Sequence, residues 1–252
     1  MQEHEYFNVD GPVVLAHRGG SLHTENTIAA FKASERAGVF SIETDVRTTK
    51  DGVAILFHDA DLVRVAGINQ KVAEVTYSEI ASIDLIGGGR VPTLVEALQT
   101  LPLMRFNLDI KDEESVRSAA AAIELTMAHQ RVLVSSFSEK RRVATLALLS
   151  KPVATSASSS IVISLWLCHV LHLPQRLIDI KLRGIGALQI PRAMYGIRLD
   201  SPSFISKMSR TGTQVHYWTI NNPQEMLELT RLGATGIVSD VSELAVETLR
   251  KA

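Results

Sequence analysis

The residues of this 252-residue chain best suited to chemistry are two histidines, three carboxylates, an arginine and a lysine. They are His17 with Arg18, Glu43 with Asp45, His58, and Asp109 with Lys111. Residues two apart on a strand point to one face, so Glu43/Asp45 and Asp109/Lys111 can each present two charged groups together. Three carboxylates make a hard-oxygen site suited to one divalent cation, Mg²⁺ or Ca²⁺, and poor for a softer metal. Histidines titrate near neutral pH and exchange protons there. Arg18 offers a planar fork for a phosphate and Lys111 a point charge. Together these groups supply what cleavage of a phosphate diester needs: charge against the phosphoryl oxygens, one proton acceptor and one proton donor.

Each residue also has a plainer use. His17 alone suits a core histidine bonded to a carbonyl, Asp109 with Lys111 a rim salt bridge of little worth, and Trp218 a packing residue. Glu25 and Asn26 suit a helix start, and Ser135 and Ser136 the satisfaction of strand-end backbone groups. Joint placement favours chemistry, because the plain account must explain every strand end separately.

The elements that would position these groups alternate regularly. Residues 13–16 are a short apolar run fit for a strand buried on both faces, and it leads straight into His17-Arg18-Gly19-Gly20. A helix follows, with Asn26 as N-cap and Gly38 closing it. Further strand–helix pairs fall at strands 106–110, 132–136, 153–156, 187–190, 215–220 and 236–239. With the first run and the Glu43 strand they make eight units, which points to an α/β fold, a closed (β/α)8 TIM barrel, formed as one domain over residues 1–252. Chemistry in such barrels sits at the carboxyl ends of the strands, where these residues fall. Lys50-Asp51-Gly52 between residues 42–49 and 53–59 is a hairpin signal. A turn centred between Asp51 and Gly52 sets Asp45 opposite His58. Residues 61–90 read as a short irregular insertion with little material to cap a pocket, and Thr93 to Glu96 as a capping box.

Composition narrows the function. Lys plus Arg is 26 against 27 Asp plus Glu, a net charge of −1, so no bulk positive field draws the chain to nucleic acid. One cysteine, Cys168, excludes an internal disulfide and suits a cytoplasmic protein. The first six residues lack the basic start and apolar run of a signal peptide. The apolar stretch 161–173 is too short to span a bilayer. No Asp, Glu, Lys or Arg occurs between Lys151 and Arg176. The helix over residues 159–171 is apolar most of the way round, which fits burial under residues 174–186, a homodimer face, or contact with a membrane surface.

His17-Arg18-Gly19, Glu25-Asn26-Thr27, Glu43-x-Asp45-Val46, Asp51-Gly52, His58-Asp59, Pro92-Thr93-Leu94-x-Glu96, Asp109-x-Lys111, Ser135-Ser136-Phe137 and Trp218-Thr219-x-Asn221 occur in that order. From about Val13 to Asp240 the chain resembles the glycerophosphodiester phosphodiesterase family. The resemblance implies a barrel of the phosphatidylinositol-phosphodiesterase-like type and metal-dependent hydrolysis of glycerophosphodiesters to an alcohol and sn-glycerol 3-phosphate. It implies His17 and His58 as the acid–base pair, Arg18 and Lys111 at the phosphate, and Glu43, Asp45 and Asp109 at the metal. Trp218 is the further candidate for substrate contact. The chain departs from the family at Asp109, usually Glu, and at Thr24, usually Pro. A lysophospholipase D-like reaction on a lysophospholipid is the nearest alternative, and an apolar groove beside the phosphate site would favour it. A non-catalytic metal- and phosphate-binding protein is the alternative of another class; it would need neither histidine.

Overall fold

The computed structural model describes residues 4–194 and 196–251; the start of the N-terminal segment read above lies outside them. In chain order the elements are β1 (Val13–His17), α1 (Ile28–Arg36), β2 (Ser41–Thr48), β3 (Ala54–Leu56), α2 (Val63–Ala66), α3 (Tyr77–Ala81) and α4 (Leu94–Thr100). Then come β4 (Arg105–Ile110), α5 (Glu114–Thr126), β5 (Val132–Ser135), α6 (Glu139–Ala147), β6 (Ala154–Thr155), α7 (Ser159–Val170) and α8 (Gln175–Lys181). The rest are β7 (Ala187–Ile190), β8 (Ala193–Met194), β9 (Ile197–Arg198), α9 (Pro202–Ser209), β10 (Gln214–Tyr217), α10 (Pro223–Arg231), β11 (Gly236–Ser239) and α11 (Ser242–Arg250).

Eight parallel strands run in the order β6-β5-β4-β2-β1-β11-β10-β7. The ring closes where Gly186 N donates to Thr155 O at 3.0 Å and Ala157 N to Ala187 O at 2.9 Å. This is the (β/α)8 barrel expected from the alternation. Its strands are apolar runs buried on both faces, such as Leu15 and Ala16 in β1 and all of β5. Register places the chemistry: His17 pairs with Glu43, Glu43 with Asn107, and Asp45 with Asp109. His17 ends β1 and Asp109 lies one residue from the end of β4. Glu43 and Asp45 sit level with them along β2, whose last residues run on into the hairpin.

Four local expectations need correction. The hairpin pairs Val46 with Leu56 and Arg47 with Ile55, so Phe57, not His58, lies opposite Asp45, and Phe57 N donates to Asp45 O at 3.0 Å. The cause is a three-residue loop, Lys50-Asp51-Gly52, with Gly52 at φ +83°; such loops carry a left-handed third residue. Asn26 is not the cap of α1. Thr27 is, accepting from Ala30 N at 3.2 Å, while Asn26 sits at φ +57° facing the barrel mouth. Residues 61–90 are irregular only in part. They form α2 and α3 over a small core of Leu62, Val65, Val72, Ile80 and Leu85 against Ile55 and Phe57. The full capping box in this region is Thr76 with Glu79; at Thr93 only the half donated by Glu96 N forms.

The barrel floor is closed by Tyr6 and Phe7, which pack with Leu133, Ala154 and Ala187. A Cβ on Gly186 would lie 2.1 Å from the Phe7 ring, so only glycine admits the plug. His216 fills the interior between β7 and β11, over Gly236. Burial pushes its pKa down to about 4. The unfolded chain takes up that proton near pH 6.5 and the folded chain does not. Stability present above pH 6.5 is therefore lost as the pH falls to about 4, by about 3 kcal/mol. A His216→Gln variant should lose less of its unfolding free energy between those pH values than the parent. Equal slopes would sink this assignment.

Candidate active site

At the mouth, Lys111 Nζ lies between two carboxylates, 2.7 Å from Asp45 Oδ1 and 2.7 Å from Asp109 Oδ2. Arg18, at φ +53°, turns its guanidinium inward so that Nε lies 3.3 Å from Asp45 Oδ2. That is an ion pair without hydrogen-bond alignment, and the buried Nε has no hydrogen-bond partner. Asn26 Nδ2 donates to the same Asp45 oxygen at 3.2 Å, and its Oδ1 accepts from Thr44 Oγ1 at 2.7 Å. Burial works against the Asp45 charge, but Lys111 and Arg18 outweigh it and hold the carboxyl below its usual range.

The other two carboxylates are less well served. Burial, then the Asp45 charge, pushes Glu43 up to about 8, and its buried Oε2 has no hydrogen-bond partner. Burial likewise raises Asp109, despite Lys111. The cluster is short of positive charge. Among the described residues no three ligand-type side chains gather round a common point, because Lys111 stands between Asp45 and Asp109. The donor set nevertheless fits a hard cation: three oxygens-only side chains, one of them orphaned and uncompensated.

Both histidines are held by carboxylates through Nδ1. Asp240 Oδ1 lies 2.6 Å from His17 Nδ1, and Asp59 Oδ1 lies 2.7 Å from His58 Nδ1. The second ring nitrogen of each is left for other work; His17 Nε2 is 3.8 Å from Glu43 Oε2. Burial alone would lower the His17 pKa, but the Asp240 hydrogen bond and the Glu43 charge raise it. Asp240 is fixed in turn by Asn221, whose Nδ2 donates to its Oδ2 at 2.7 Å and whose Oδ1 accepts from its backbone N at 2.9 Å. Arg64 on α2 clamps the rim, with bonds of 2.7 Å to both Glu25 oxygens and 2.6 Å to Asp59. Glu25 also meets Arg18 at 3.2 Å.

The cleft thus brings together His17, Arg18, Glu43, Asp45, His58, Asp109, Lys111 and Trp218, every site residue expected from the sequence. Ser135 and Ser136 face it too and bond the carbonyls of Leu108 and Ile110, as strand-end residues would. Opposite the charges is an apolar wall of Phe137, Ala157, Val162, Pro191, Met194 and Trp218. Trp218 and Phe137 meet edge to face, with centroids 6.0 Å apart. Sequence reasoning missed Asp59, Asp240, Arg64 and the inward role of Asn26. Asp240 carried a legible signal, a carboxylate at the carboxyl end of the last strand; Arg64 carried none.

Residues 17–244 match the model of the glycerophosphoryl diester phosphodiesterase family. The chain is 34% identical over 247 residues to a probable glycerophosphodiester phosphodiesterase 2 of Mycobacterium tuberculosis, covering 97% of this chain and 93% of the relative. It is 26% identical to a lysophospholipase D of Rattus norvegicus, covering 90% and 82%. Among solved structures, an Oleispira antarctica phosphodiesterase in complex with the product sn-glycerol-3-phosphate shares the fold at a TM-score of 0.76 and 24% identity, over 95% and 97% of the two chains. With its barrel, its mouth and these relatives, the chain belongs to the glycerophosphoryl diester phosphodiesterase family and is a phosphoric diester hydrolase.

Proposed function

We propose that this enzyme hydrolyses glycerophosphodiesters to an alcohol and sn-glycerol 3-phosphate by acid–base catalysis between His17 and His58. The observation that carries this is the pair of carboxylate-held imidazoles beside Arg18 and Lys111 in one cleft. Arg18 and Lys111 draw the phosphate in and orient it. One imidazole takes the proton of the attacking hydroxyl as its oxygen bonds to phosphorus. The other gives a proton to the leaving alcohol as the old P–O bond breaks. The attacking hydroxyl is either water's, giving sn-glycerol 3-phosphate directly, or a glycerol hydroxyl, giving a cyclic phosphate that water then opens. Asp59 and Asp240 keep each Nδ1 engaged, so each ring meets substrate through Nε2. Glu43, Asp45 and Asp109 would hold one Mg²⁺ or Ca²⁺, which supplies positive charge against the phosphoryl oxygens. We place the enzyme in the cytoplasm, where its one buried cysteine stays reduced.

A second reading has its own support. The wall from Phe137 to Trp218 is an apolar surface beside the phosphate-binding side, and it suits an acyl chain, hence a lysophospholipase D-like reaction. A panel of glycerophosphodiesters and lysophospholipids, each with Mg²⁺ and with Ca²⁺, separates the two readings through phosphomonoester release. Turnover of neither class overturns both.

EDTA-treated protein should lose turnover and regain it with Mg²⁺ or Ca²⁺; full activity in chelator would remove the metal from the account. Asp109→Glu should bind the ion at least as tightly by calorimetry, whereas unchanged binding by Asp109→Ala would show that Asp109 is not a ligand. His17→Ala and His58→Ala should each lower kcat by at least ~10²-fold. Asp240→Asn removes the charge that supports imidazolium, so the NMR titration midpoint of His17 should fall. An unmoved midpoint would deny Asp240 that positioning role.

A further inference from the structure

Helix α7 carries apolar side chains on two faces. Val162, Leu165 and Cys168 point into the barrel and are buried, as a barrel helix requires. Ile163, Leu167, Val170 and Leu171, at helical spacings of four, seven and eight, form a second stripe that is 39–64% exposed. Residues 174–186 therefore do not cover the helix. They form α8 beside it, which adds exposed Leu177 and Ile180 while burying Ile178.

Charge indicates what this face meets. Residues 140–199 hold nine Lys or Arg and a single acid, Asp179, in a chain of net charge −1. Lys140, Arg142, Arg192 and Arg198 are matched to acids elsewhere in the chain. Lys151, Arg176, Lys181 and Arg183 are exposed and make no ion pair among the described residues. Arg176 and Lys181 share the outward side of α8 with Leu177 and Ile180, and Arg183 follows the helix. A two-fold contact through this face would bring both copies' cations into one interface, with Asp179 the single acid of residues 140–199 to offset each set. An anionic lipid surface neutralises them and receives the apolar stripe.

We infer that the α7–α8 face docks on an anionic phospholipid bilayer. Leu171, Leu177 and Ile180 enter the boundary between headgroups and acyl chains, and Arg176, Lys181 and Arg183 meet anionic headgroups. The first turns of α7 also supply Ser159 and Val162 to the cleft, so the docked wall adjoins the apolar side of the mouth. Docking is independent of the hydrolase reading, because it is measured without turnover.

The test is sedimentation of the whole chain with vesicles of phosphatidylcholine alone and of phosphatidylcholine with about one-third phosphatidylserine, at about 0.1 M and about 0.5 M NaCl. Binding should appear with the anionic vesicles and fall at least ~10-fold at the higher salt. Joint reversal, Arg176→Glu with Lys181→Glu and Arg183→Glu, should abolish it. Ile163→Ser with Leu167→Ser and Leu171→Ser should weaken it at least ~10-fold. An unchanged far-UV circular dichroism spectrum and thermal midpoint certify folding of the charge variant, and of the Leu177→Ser with Ile180→Ser pair used if the triple serine variant unfolds. No binding to anionic vesicles overturns the proposal, as does binding indifferent to the charge reversal. A parent dimer by light scattering that the serine variant turns monomeric overturns it in favour of self-association.

Discussion

The mouth of this barrel depends on one electrostatic constraint: three carboxylates are buried together with too little positive charge to serve them all. An ionised group taken out of water is costly unless it is paired and hydrogen-bonded. Lys111 is therefore shared between Asp45 and Asp109, and Arg18 and Asn26 are both spent on Asp45. Asp45 is the one carboxyl held below its usual range. Glu43, with an orphaned oxygen and a pKa of about 8, carries the shortfall. A protein selected for stability alone would place an apolar residue at such a position. With a pKa of about 8 this carboxyl is mostly protonated at neutral pH, and positive charge arriving in the open cleft would ionise it.

The same constraint explains the backbone around it. Arg18 and Asn26 both adopt left-handed φ without being glycine, a conformation that costs energy and persists only where the surroundings over-determine it. Here they do. Arg18 N donates to Glu43 O at 2.7 Å and Asn26 N to Arg18 O at 2.8 Å, locking the loop after β1 onto β2. Arg64 then ties that loop, through Glu25, to Asp59 and so to His58. Exposed ion pairs are worth little to stability, but a bidentate guanidinium joining two loops fixes geometry, and His58 lies on the less regular of them.

How much of this was legible follows from the range of the interactions. Strand alternation, the barrel and the residues at strand ends are local pattern, so they could be read directly from runs such as Val13-Val14-Leu15 and from pairs two apart. The hairpin register was lost to a single residue in the loop, because Asp51-Gly52 fits both a two-residue and a three-residue turn. What the sequence cannot display is pairing between distant loops. Asp240 lies 223 residues from the His17 it orients, and Arg64 lies 39 from Glu25. Residues 61–90 read as irregular because their helices are too short for periodicity, although Thr76 and Glu79 spelled a capping box that could have been found.

The ring order of the strands also separates two kinds of surface. His17, Glu43, Asp45, Asp109 and Lys111 come from β1, β2 and β4 or the residue just after it, which are neighbours in the barrel. Phe137, Ala157, Val162, Pro191, Met194 and Trp218 follow β5, β6, β7 and β10, the other arc. The charged groups and the apolar wall therefore rest on different strands, and they meet where Lys111 Nζ lies 5.9 Å from the centroid of the Phe137 ring. The charged arc is tightly cross-bonded, so a change at any member disturbs the rest. The apolar arc is held by packing and by loop backbone, which tolerates hydrophobic exchange of similar volume. Hydrophobic exchange along that arc would leave the carboxylates, the cations and the two imidazoles as they are.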